Sequence, residues 1–410
     1  MEKQVKQETM ALNGDEAVAF AAKQSDVDVV AAYPITPQTI IVEKFSEYVA
    51  NGEVQTEFVC VESEHSAMAA SVAASATGAR AFTATASAGL ALMHEMLFVA
   101  SGCRVPVVMA VANRALSAPL NIHGDQSDSM AERDSGWIQI YVENAQEAYD
   151  SIIQAFRIAE HWDVLLPVLV GLDGFTITHT LENVTTLADD DVKEFVGERK
   201  LPNVLTHEGK SVPFKLDPEN PMTMGPIALQ NYYFEFKRQQ EEGMKNALLV
   251  IKQIHDEYAS LSGRSYGNGL LEKYKLEDAE IAVVCVGSTA GTMKTIVDEL
   301  RAQGVKAGLL KLRTFRPFPL EEVRSALSKA SAIGVMDKSM SFGGNGGAVF
   351  HEVRHALYDV AVHPLVVDYI YGLGGRDTTP IEFKKIFNEL HQMANSKRVD
   401  TLVNYVGLRE

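Results

Sequence analysis

The stretch AFTATASAGLALMHEMLFVASGCRVPVVMAV, residues 81–111, predicts a strand, a helix and a second strand in succession. Its two apolar runs, residues 81–85 and 105–111, have the length of strands and are rich in Ala and Val without alternating polar positions. Runs of this kind are typical of strands buried on both faces of a sheet. Residues 89–101 between them have the length of a helix, so the unit predicts a parallel α/β sheet.

The same alternation continues on both sides of this unit. Further strands are predicted at residues 27–32, 57–61 and 164–170, and helices at residues 67–77 and 145–159. A second alternating run begins near residue 279, with strands at 281–286, 307–312, 332–336 and 365–369 and helices at about 289–302, 320–329 and 345–358. We therefore predict an α/β protein with two tandem domains, residues 1–275 and 276–410.

The segment between the two runs has a different character. Residues 173–226 contain charges, turn residues and several prolines without a clear period, which predicts an irregular excursion. Long irregular segments in compact proteins usually wrap a neighbour or a site. Residues 231–261 regain a helical period and predict a connecting helix that belongs to the first domain.

Composition excludes several classes of partner. The 410 residues include 37 Lys and Arg against 54 Asp and Glu, a net charge of -17, and no basic stripe is present, which argues against nucleic acid. No long uncharged apolar run and no signal-peptide core occur, so we predict a cytoplasmic protein without a membrane segment. The cysteines Cys60, Cys103 and Cys285 are too far apart to form a disulfide framework or a four-thiolate cluster within this chain. We predict no metal site here, and any metal cluster must belong to a partner.

The first predicted strand ends in YPITP, residues 33–37. Pro34 and Pro37 flank the central residues and restrict the backbone, which would present the Thr36 hydroxyl at the carboxyl end of the strand. Ligands bind at that edge of an open α/β sheet. The alternative interpretation is an ordinary strand-to-helix loop in which Pro37 lies in the first turn of the helix.

The second predicted strand leads into ESEHS, residues 62–66, and a helix of small residues. In a purely structural interpretation Ser63 caps this helix and Glu64 favours its positive end. In the functional interpretation the small residues allow tight packing and leave Glu64 poorly hydrated at the strand end. A carboxyl in that environment can share a proton with a heterocycle nitrogen.

The fourth predicted strand is followed by NRALSAPLNIHGDQSD, residues 113–128. The forked donors of Arg114 suit a carboxylate ligand, whereas a structural ion pair with Asp125 is the alternative. His123, Asp125 and Asp128 have a spacing that could suggest metal ligands, but we interpret them as solvated turn residues.

Two glycine-rich segments, residues 343–347 and 372–377, invite a phosphate-loop interpretation. Neither contains the spacing of a Walker or dinucleotide motif, so a tight turn or an interface is the better prediction. Arg376, in the second segment, could meet an anion of a partner.

Four motifs together carry a family resemblance. YPITP at 33–37, SEHSA at 63–67, NRALSAP at 113–119 and YGLGGRD at 371–377 resemble the α subunit of the 2-oxoacid:ferredoxin oxidoreductases, the family of pyruvate synthase. The likeness extends over nearly the whole chain, and residues 62–87 are especially close.

The resemblance implies a fold and a set of site residues. It implies a thiamine diphosphate pyrimidine-binding domain followed by a domain like the transketolase C-terminal domain. Glu64 would face the aminopyrimidine, with Pro34 also at the cofactor. Thr36 and Arg114 would hold the 2-oxoacid through the hydroxyl and the guanidinium. Thr39 stands where the family motif often has a serine, a minor departure that keeps a hydroxyl.

The resemblance also implies partners. The G-D-G and N-N pattern that anchors the diphosphate and Mg²⁺ is absent from this chain, which would therefore supply half a site. A β subunit would hold thiamine diphosphate, Mg²⁺ and a [4Fe-4S] cluster, and γ and ferredoxin-like δ subunits would complete the complex. Coenzyme A would be the co-substrate and an external ferredoxin the electron acceptor.

The substrate stays open at this point. Pyruvate is favoured, and 2-oxoisovalerate and 2-oxoglutarate are alternatives because their enzymes share these motifs. Two other functions compete with this interpretation: a non-catalytic scaffold subunit, and a thiamine-dependent enzyme without electron transfer.

Overall fold

A computed structural model describes residues 6–409 and contains two parallel sheets flanked by helices. The first part of the chain comprises β1 (Gln7–Leu12), α1 (Gly14–Gln24), β2 (Val29–Ala32), α2 (Thr39–Ala50), β3 (Glu57–Cys60), α3 (Glu64–Ala76), β4 (Ala81–Thr85), α4 (Ser87–Leu92), α5 (His94–Gly102), β5 (Val107–Asn113), α6 (Ser127–Ala131), β6 (Ile138–Tyr141), α7 (Ala145–Glu160), β7 (Val168–Asp173), β8 (Glu182–Leu187), α8 (Asp189–Val196), β9 (Asn203–Leu205), β10 (Ser211–Pro213) and α9 (Tyr233–Ser262). The second part comprises β11 (Leu271–Tyr274), β12 (Ile281–Cys285), α10 (Thr289–Ala302), β13 (Ala307–Leu312), β14 (Thr314–Arg316), α11 (Leu320–Leu327), β15 (Ala332–Asp337), α12 (Ala348–Ala356), β16 (Leu365–Ile370), a 3₁₀ turn (Leu373–Gly375), α13 (Pro380–Ser396) and β17 (Val403–Tyr405).

The first sheet has seven strands in the order β14-β6-β7-β5-β4-β2-β3. Strands β2 to β7 pair in parallel, which confirms the predicted α/β class. Every residue of β4, β5 and β7 is buried, as the unalternating Ala and Val runs predict. Helices α1 and α7 cover one face, and α3 and α5 cover the other.

The second sheet has six strands in the order β11-β13-β12-β15-β16-β17. Its four central strands are parallel and correspond to the four strands predicted in the second run. Helices α11 and α12 pack on one face, and α10 and α13 on the other. The fold thus has two α/β units in tandem.

Two strands pair with the sheet on the other side of the predicted boundary between residues 275 and 276. Strand β11 lies before it but pairs antiparallel with β13 in the second sheet. Strand β14 lies after it but pairs antiparallel with β6 at the edge of the first sheet. Each sheet therefore takes an edge strand from the other side of that boundary.

Buried polar contacts fasten the two sheets to each other. Glu147 on α7 accepts hydrogen bonds from Lys311 Nζ (2.6 Å) and Arg313 Nε (3.0 Å), and all three side chains are buried. Burial alone would raise the pKa of Glu147, but the two cationic neighbours lower it below its ordinary value. Asp173 at the end of β7 accepts the Ser288 backbone N–H (2.9 Å) at the start of α10. The carboxyl edge of the first sheet is thereby held against the second.

The prediction of an irregular excursion over residues 173–226 is wrong for residues 182–196, which form β8 and α8, and for the short antiparallel pair β9 and β10. Strand β8 pairs along its whole length with β1, a partner too distant in sequence to give a local signal. The connecting helix is confirmed as α9, a 30-residue helix that buries Ile251, Ile254 and Tyr258. Within residues 6–409, no helix is long and apolar enough to cross a membrane.

Candidate active site

The predicted site residues lie on loops that follow β2, β3 and β5 at the carboxyl edge of the first sheet. Parallel strands end at the same edge, so these loops come together although they are far apart in sequence. The loop after β4 joins them, because α4 begins directly at its end.

The YPITP loop is held to the sheet by Gln38, which is fully buried. Its Oε1 accepts the Ile35 N–H (3.1 Å) and its Nε2 donates to the Ala84 carbonyl of β4 (3.1 Å). Helix α2 begins at Thr39, so Pro37 precedes the helix. The alternative interpretation, which placed Pro37 in the first helical turn, is therefore wrong. The Thr36 side chain is exposed. Pro34 is likewise exposed.

Arg114 lies beside Thr36. Its Nη1 donates to the Thr36 carbonyl (2.9 Å) and its Nε donates to the Asn121 carbonyl (3.1 Å). Arg114 is 8% exposed, and its guanidinium has five N–H donors, so three remain for a ligand after these two bonds. The alternative ion pair with Asp125 is absent among the described residues, because Asp125 accepts from Ser127 and from the backbone of a second-domain glycine.

Glu64 is the first residue of α3, and the Ser63 hydroxyl caps that helix by accepting the Ser66 N–H (3.3 Å). The Glu64 side chain is 7% exposed, and its carboxylate makes no hydrogen bond within residues 6–409. A carboxylate in this position is costly unless it meets a polar partner. The neighbouring Glu62 is exposed.

Gly89 of α4 provides the space for the Glu64 side chain. A Cβ at this position would lie 2.8 Å from Glu64 Oε1 and 2.5 Å from Thr85 Oγ1, too close for either atom to stay where it is. The Thr85 hydroxyl is also buried and has no hydrogen-bond partner in the part of the chain that the structure describes. Two polar groups without partners thus converge beside a glycine.

Sequence analysis missed both Thr85 and Gly89. Thr85 could have been found, because it is the last residue of a predicted strand and therefore lies at the ligand-binding edge. The need for glycine at position 89 depends on a contact with a different loop, for which the local sequence carries no signal.

The interpretation of Asp125 and Asp128 as solvated turn residues is wrong, because both side chains are buried. Asp128 accepts four hydrogen bonds, from Ser87 N (2.9 Å), Arg114 N (2.9 Å), Asn113 Nδ2 (2.8 Å) and Ser129 N (2.7 Å). Burial raises the pKa of Asp128 to about 7, although the four donors act in the opposite direction. The described residues contain no cluster of His, Cys, Asp and Glu side chains suited to a metal ion.

The second domain contributes one of its glycine-rich turns to this edge. The Gly374 N–H donates to Asp125 Oδ2 (3.0 Å), and the Gly374 carbonyl accepts Asn121 Nδ2 (3.0 Å). Residues 372–377 therefore form an interface between the two domains of this chain. Arg376 donates to the Gly407 carbonyl (2.7 Å), and its contact with a partner's anion stays a prediction.

Two family models match this chain. One, described as pyruvate flavodoxin/ferredoxin oxidoreductase, thiamine diphosphate-binding, matches residues 20–256. The other, described as pyruvate:ferredoxin oxidoreductase core domain II, matches residues 279–383. Together they cover every strand of the first sheet and the four central strands of the second.

Curated relatives match over nearly their whole length. The chain is 52% identical over 403 residues to pyruvate synthase subunit PorA of Methanocaldococcus jannaschii, covering 98% of this chain and 99% of the relative. It is 50% identical to pyruvate synthase subunit PorA of Thermotoga maritima, with the same coverage. It is 42% identical over 398 residues to ketoisovalerate oxidoreductase subunit VorA of Pyrococcus horikoshii, covering 97% of this chain and 98% of the relative.

Two solved structures share the fold. A 2-oxoglutarate:ferredoxin oxidoreductase from Magnetococcus marinus matches with a TM-score of 0.70 and 20% identity, covering 93% of this chain and 65% of that chain. A split gene transketolase matches with a TM-score of 0.52 and 13% identity, covering 94% of this chain and 100% of that chain. At these identities the likeness concerns the fold, and it agrees with the predicted pyrimidine-binding and transketolase C-terminal-like domains.

Proposed function

Because this chain belongs to the pyruvate:ferredoxin oxidoreductase family, we propose that it is the α subunit of a pyruvate synthase. The reaction is the reversible conversion of pyruvate and coenzyme A to acetyl-CoA and carbon dioxide, with the released electron pair passed to ferredoxin. The observation that carries the proposal is the pairing of Arg114 with the Thr36 loop at the sheet edge where Glu64 lies buried without a partner.

Pyruvate is the substrate that the relatives favour. Relatives named pyruvate synthase reach 52% and 50% identity, against 42% for the ketoisovalerate oxidoreductase subunit. The substrates 2-oxoisovalerate and 2-oxoglutarate are the alternatives, and a panel of 2-oxoacids separates the three.

Arg114 and Thr36 have the chemistry to hold a 2-oxoacid. The three free N–H donors of Arg114 match the oxygens of a carboxylate, and its two bonds to backbone carbonyls fix the plane of the guanidinium before a substrate arrives. The Thr36 side chain is exposed on the residue whose carbonyl this guanidinium contacts, and in this proposal its hydroxyl donates to the substrate. A preformed fork of this kind reduces the ordering that binding requires.

The residues around Glu64 fit an aminopyrimidine ring. The Glu64 carboxylate, on a residue that is 7% exposed, and the buried Thr85 hydroxyl have no hydrogen bond within residues 6–409, and Gly89 leaves the space beside both groups free of a side chain. When bound, thiamine diphosphate supplies an electron sink for the carbanion left by loss of carbon dioxide. The role of Glu64 is to hold a proton at the ring nitrogen, and Pro34 borders the same ligand.

The remainder of the enzyme belongs to partners in this proposal. A β subunit holds the diphosphate, Mg²⁺ and a [4Fe-4S] cluster, and γ and ferredoxin-like δ subunits complete a cytoplasmic complex that reduces external ferredoxin. The cysteine count supports this division, because the chain has three cysteines and a [4Fe-4S] cluster is held by four thiolates.

The test has two parts. Calorimetry on the isolated chain should detect little binding of thiamine diphosphate with Mg²⁺, and tight binding would contradict the shared site. The chain co-purified with its partners should reduce ferredoxin with pyruvate and coenzyme A faster than with 2-oxoisovalerate or 2-oxoglutarate.

The same preparation separates the rival functions. A scaffold subunit would leave activity unchanged in variants of Arg114 and Glu64. A thiamine-dependent enzyme without electron transfer would lack the visible absorption that iron-sulfur clusters give to the purified complex.

A further inference from the structure

One buried carboxylate connects the two halves of the candidate site. Asp128 is 1% exposed and lies on α6, which follows the Arg114 loop. Its Oδ2 accepts two backbone N–H groups, one from Arg114 and one from Ser87. These residues follow different strands, β5 and β4, and are joined through this single oxygen atom.

On one side, Asp128 fixes the backbone from which the Arg114 side chain extends. Its Oδ1 accepts Asn113 Nδ2 (2.8 Å), so two consecutive residues at the end of β5 are bound to the same carboxylate. The guanidinium then reaches the Thr36 carbonyl at 2.9 Å. A shift of the Arg114 backbone would move this donor set as a unit.

On the other side, Asp128 fixes the start of α4. Ser87 has a positive φ of 46°, and its hydroxyl donates to the Ala115 carbonyl (2.6 Å), a second bond between the same two loops. Two residues later Gly89 lies against the Glu64 carboxylate and the Thr85 hydroxyl. The position of α4 therefore decides the space around Glu64.

We propose that Asp128 is a positioning residue that sets the separation between the substrate-holding Arg114 and the cofactor-facing Glu64. This inference rests on the proposed function, since it assigns Arg114 to the 2-oxoacid and Glu64 to the pyrimidine. Asp128 itself touches neither ligand and acts through the backbones of Arg114 and Ser87.

A carboxylate is required because all four groups around Asp128 are donors. Asparagine has one side-chain oxygen, so its NH₂ group must face two of the four donors. Those two donors are buried, and water cannot replace the acceptor that they lose. The expected result of Asp128→Asn is therefore a displacement of both loops.

The experiment uses the assembled complex and measures the two ends of the site separately. The apparent KM for the 2-oxoacid reports on Arg114, and hydrogen–deuterium exchange at the thiazolium carbon of bound thiamine diphosphate reports on Glu64. Asp128→Asn should raise the KM and slow the exchange, each by about tenfold or more. Backbone amide exchange in peptides covering residues 87–92 and 114–123, measured without ligands, should accelerate in both.

The matched control is Asp150→Asn in the same domain. Asp150 is a fully buried carboxylate that accepts hydrogen bonds from Arg264, Tyr258 and Tyr266 on the connecting helix and the segment after it. Its replacement should lower the melting temperature but leave the 2-oxoacid KM and the thiazolium exchange within about twofold of wild type. If Asp128→Asn behaves like this control, the inference is overturned.

Ser87→Ala provides a milder variant in case Asp128→Asn does not assemble. It removes only the hydroxyl bond to Ala115 and should change both the KM and the thiazolium exchange by about two- to tenfold. A change in neither readout, or in one alone, overturns the inference. Failure of the proposed function looks different, because then Arg114→Lys would leave the 2-oxoacid KM unchanged and Glu64→Gln would leave the exchange unchanged.

Discussion

The two main sheets of this chain differ in how far the polar groups at their carboxyl edges are hydrogen-bonded within the chain. At the first edge, Glu64 and Thr85 are buried without partners, and Arg114 has free donors. At the second edge, Asp337 at the end of β15 and Asp368 near the end of β16 are also buried. Three of their four oxygens, however, accept N–H groups from the N-terminus of α12 within the same domain, and only Asp368 Oδ1 has no partner among the described residues.

The contacts at the second edge are short and local. Asp337 accepts Val349 N (3.0 Å) and Phe350 N (2.9 Å), and Asp368 accepts Gly347 N (2.7 Å). A Cβ at Gly347 would lie 2.1 Å from Asp337 Cγ, which explains the glycine at the end of the segment 343–347. That segment is the predicted turn opening a helix, and its glycine and acids stabilise the helix start.

Position at the carboxyl edge of a parallel sheet does not by itself identify a ligand site. Both edges have the same parallel geometry, a nearby glycine and buried acidic residues. They differ in how far the chain satisfies its own polar groups. At the second edge one carboxylate oxygen, Asp368 Oδ1, is left without a partner. At the first edge the Glu64 carboxylate, the Thr85 hydroxyl and the remaining Arg114 donors are all available to a ligand.

Glu64→Gln should have the largest effect on activity, because it changes the carboxylate that the first edge leaves without a partner. The carboxylate makes no hydrogen bond within the described chain, so the variant should fold and assemble normally. Turnover should fall by about 10²- to 10⁴-fold, the range for loss of a general acid–base group. Exchange at the thiazolium carbon of bound cofactor should fall with it.

Glu62→Gln is the matched control, because Glu62 is exposed two residues earlier. It should leave turnover and exchange unchanged. Normal exchange in Glu64→Gln, or its loss in Glu62→Gln, would contradict the assignment.

Arg114→Lys should have the next largest effect. The planar guanidinium donates to the Thr36 and Asn121 carbonyls and has further N–H groups free for a ligand. The single ammonium group of lysine cannot make both sets of hydrogen bonds. The loss of charge-assisted bonds of about 1.5–3 kcal/mol should lower kcat/KM for the 2-oxoacid by roughly 10- to 100-fold. Steady-state kinetics with an unchanged KM would make Arg114 a structural residue.

Thr36→Val should have a smaller effect on the same substrate. Valine keeps the branched shape and the carbonyl that Arg114 contacts, so only the hydroxyl is lost. A net hydrogen bond of about 0.5–1.5 kcal/mol should disappear, which lowers kcat/KM roughly two- to tenfold. If kcat/KM is unaltered, the YPITP loop has only a structural role.

Asp368→Asn should leave activity unchanged and alter only the pH dependence of stability. Burial raises the pKa of Asp337 to about 6 and that of Asp368 to about 8, and the two carboxyls repel each other when both are charged. Raised folded-state values mean that the stabilising proton is fully bound below the unfolded pKa and is lost as the pH rises through the folded values. The wild type should therefore lose roughly 1–3 kcal/mol between pH 6 and pH 9.

Urea unfolding at several pH values provides the measurement. The asparagine keeps an oxygen for the Gly347 N–H and cannot ionise, so the variant should show a flatter profile. An equal loss of stability in wild type and variant, or a loss of turnover, would refute the structural role of this pair.

Local sequence was sufficient for the central strands and for the placement of the site residues. Residues 81–85 form β4 as predicted, and Glu64 and Arg114 lie at the edge where strand ends predict a ligand. The family resemblance added the roles of these residues, which periodicity cannot supply.

Features that depend on distant contacts were missed. Asp128 lies in a polar stretch of sequence, which predicts a solvated side chain. It is buried because this stretch folds back onto the start of α4, where the Ser87 N–H donates to its carboxylate. Strand β8 depends on β1, and β14 depends on β6, each pairing residues more than a hundred positions apart. No local pattern of hydrophobicity reports such partners.

The exchange of edge strands between the two sheets determines how this protein can be cut. A fragment ending at residue 275 would lack β14 and leave β6 as an edge strand with unpaired backbone N–H and C=O groups, which promotes aggregation. The same cut would remove Lys311 and Arg313 and leave the buried Glu147 carboxylate without its two cationic partners. Limited proteolysis or gene splitting at the apparent domain boundary should thus yield insoluble halves, whereas the exposed connection between β9 and β10 is a suitable place to open the chain or insert a tag.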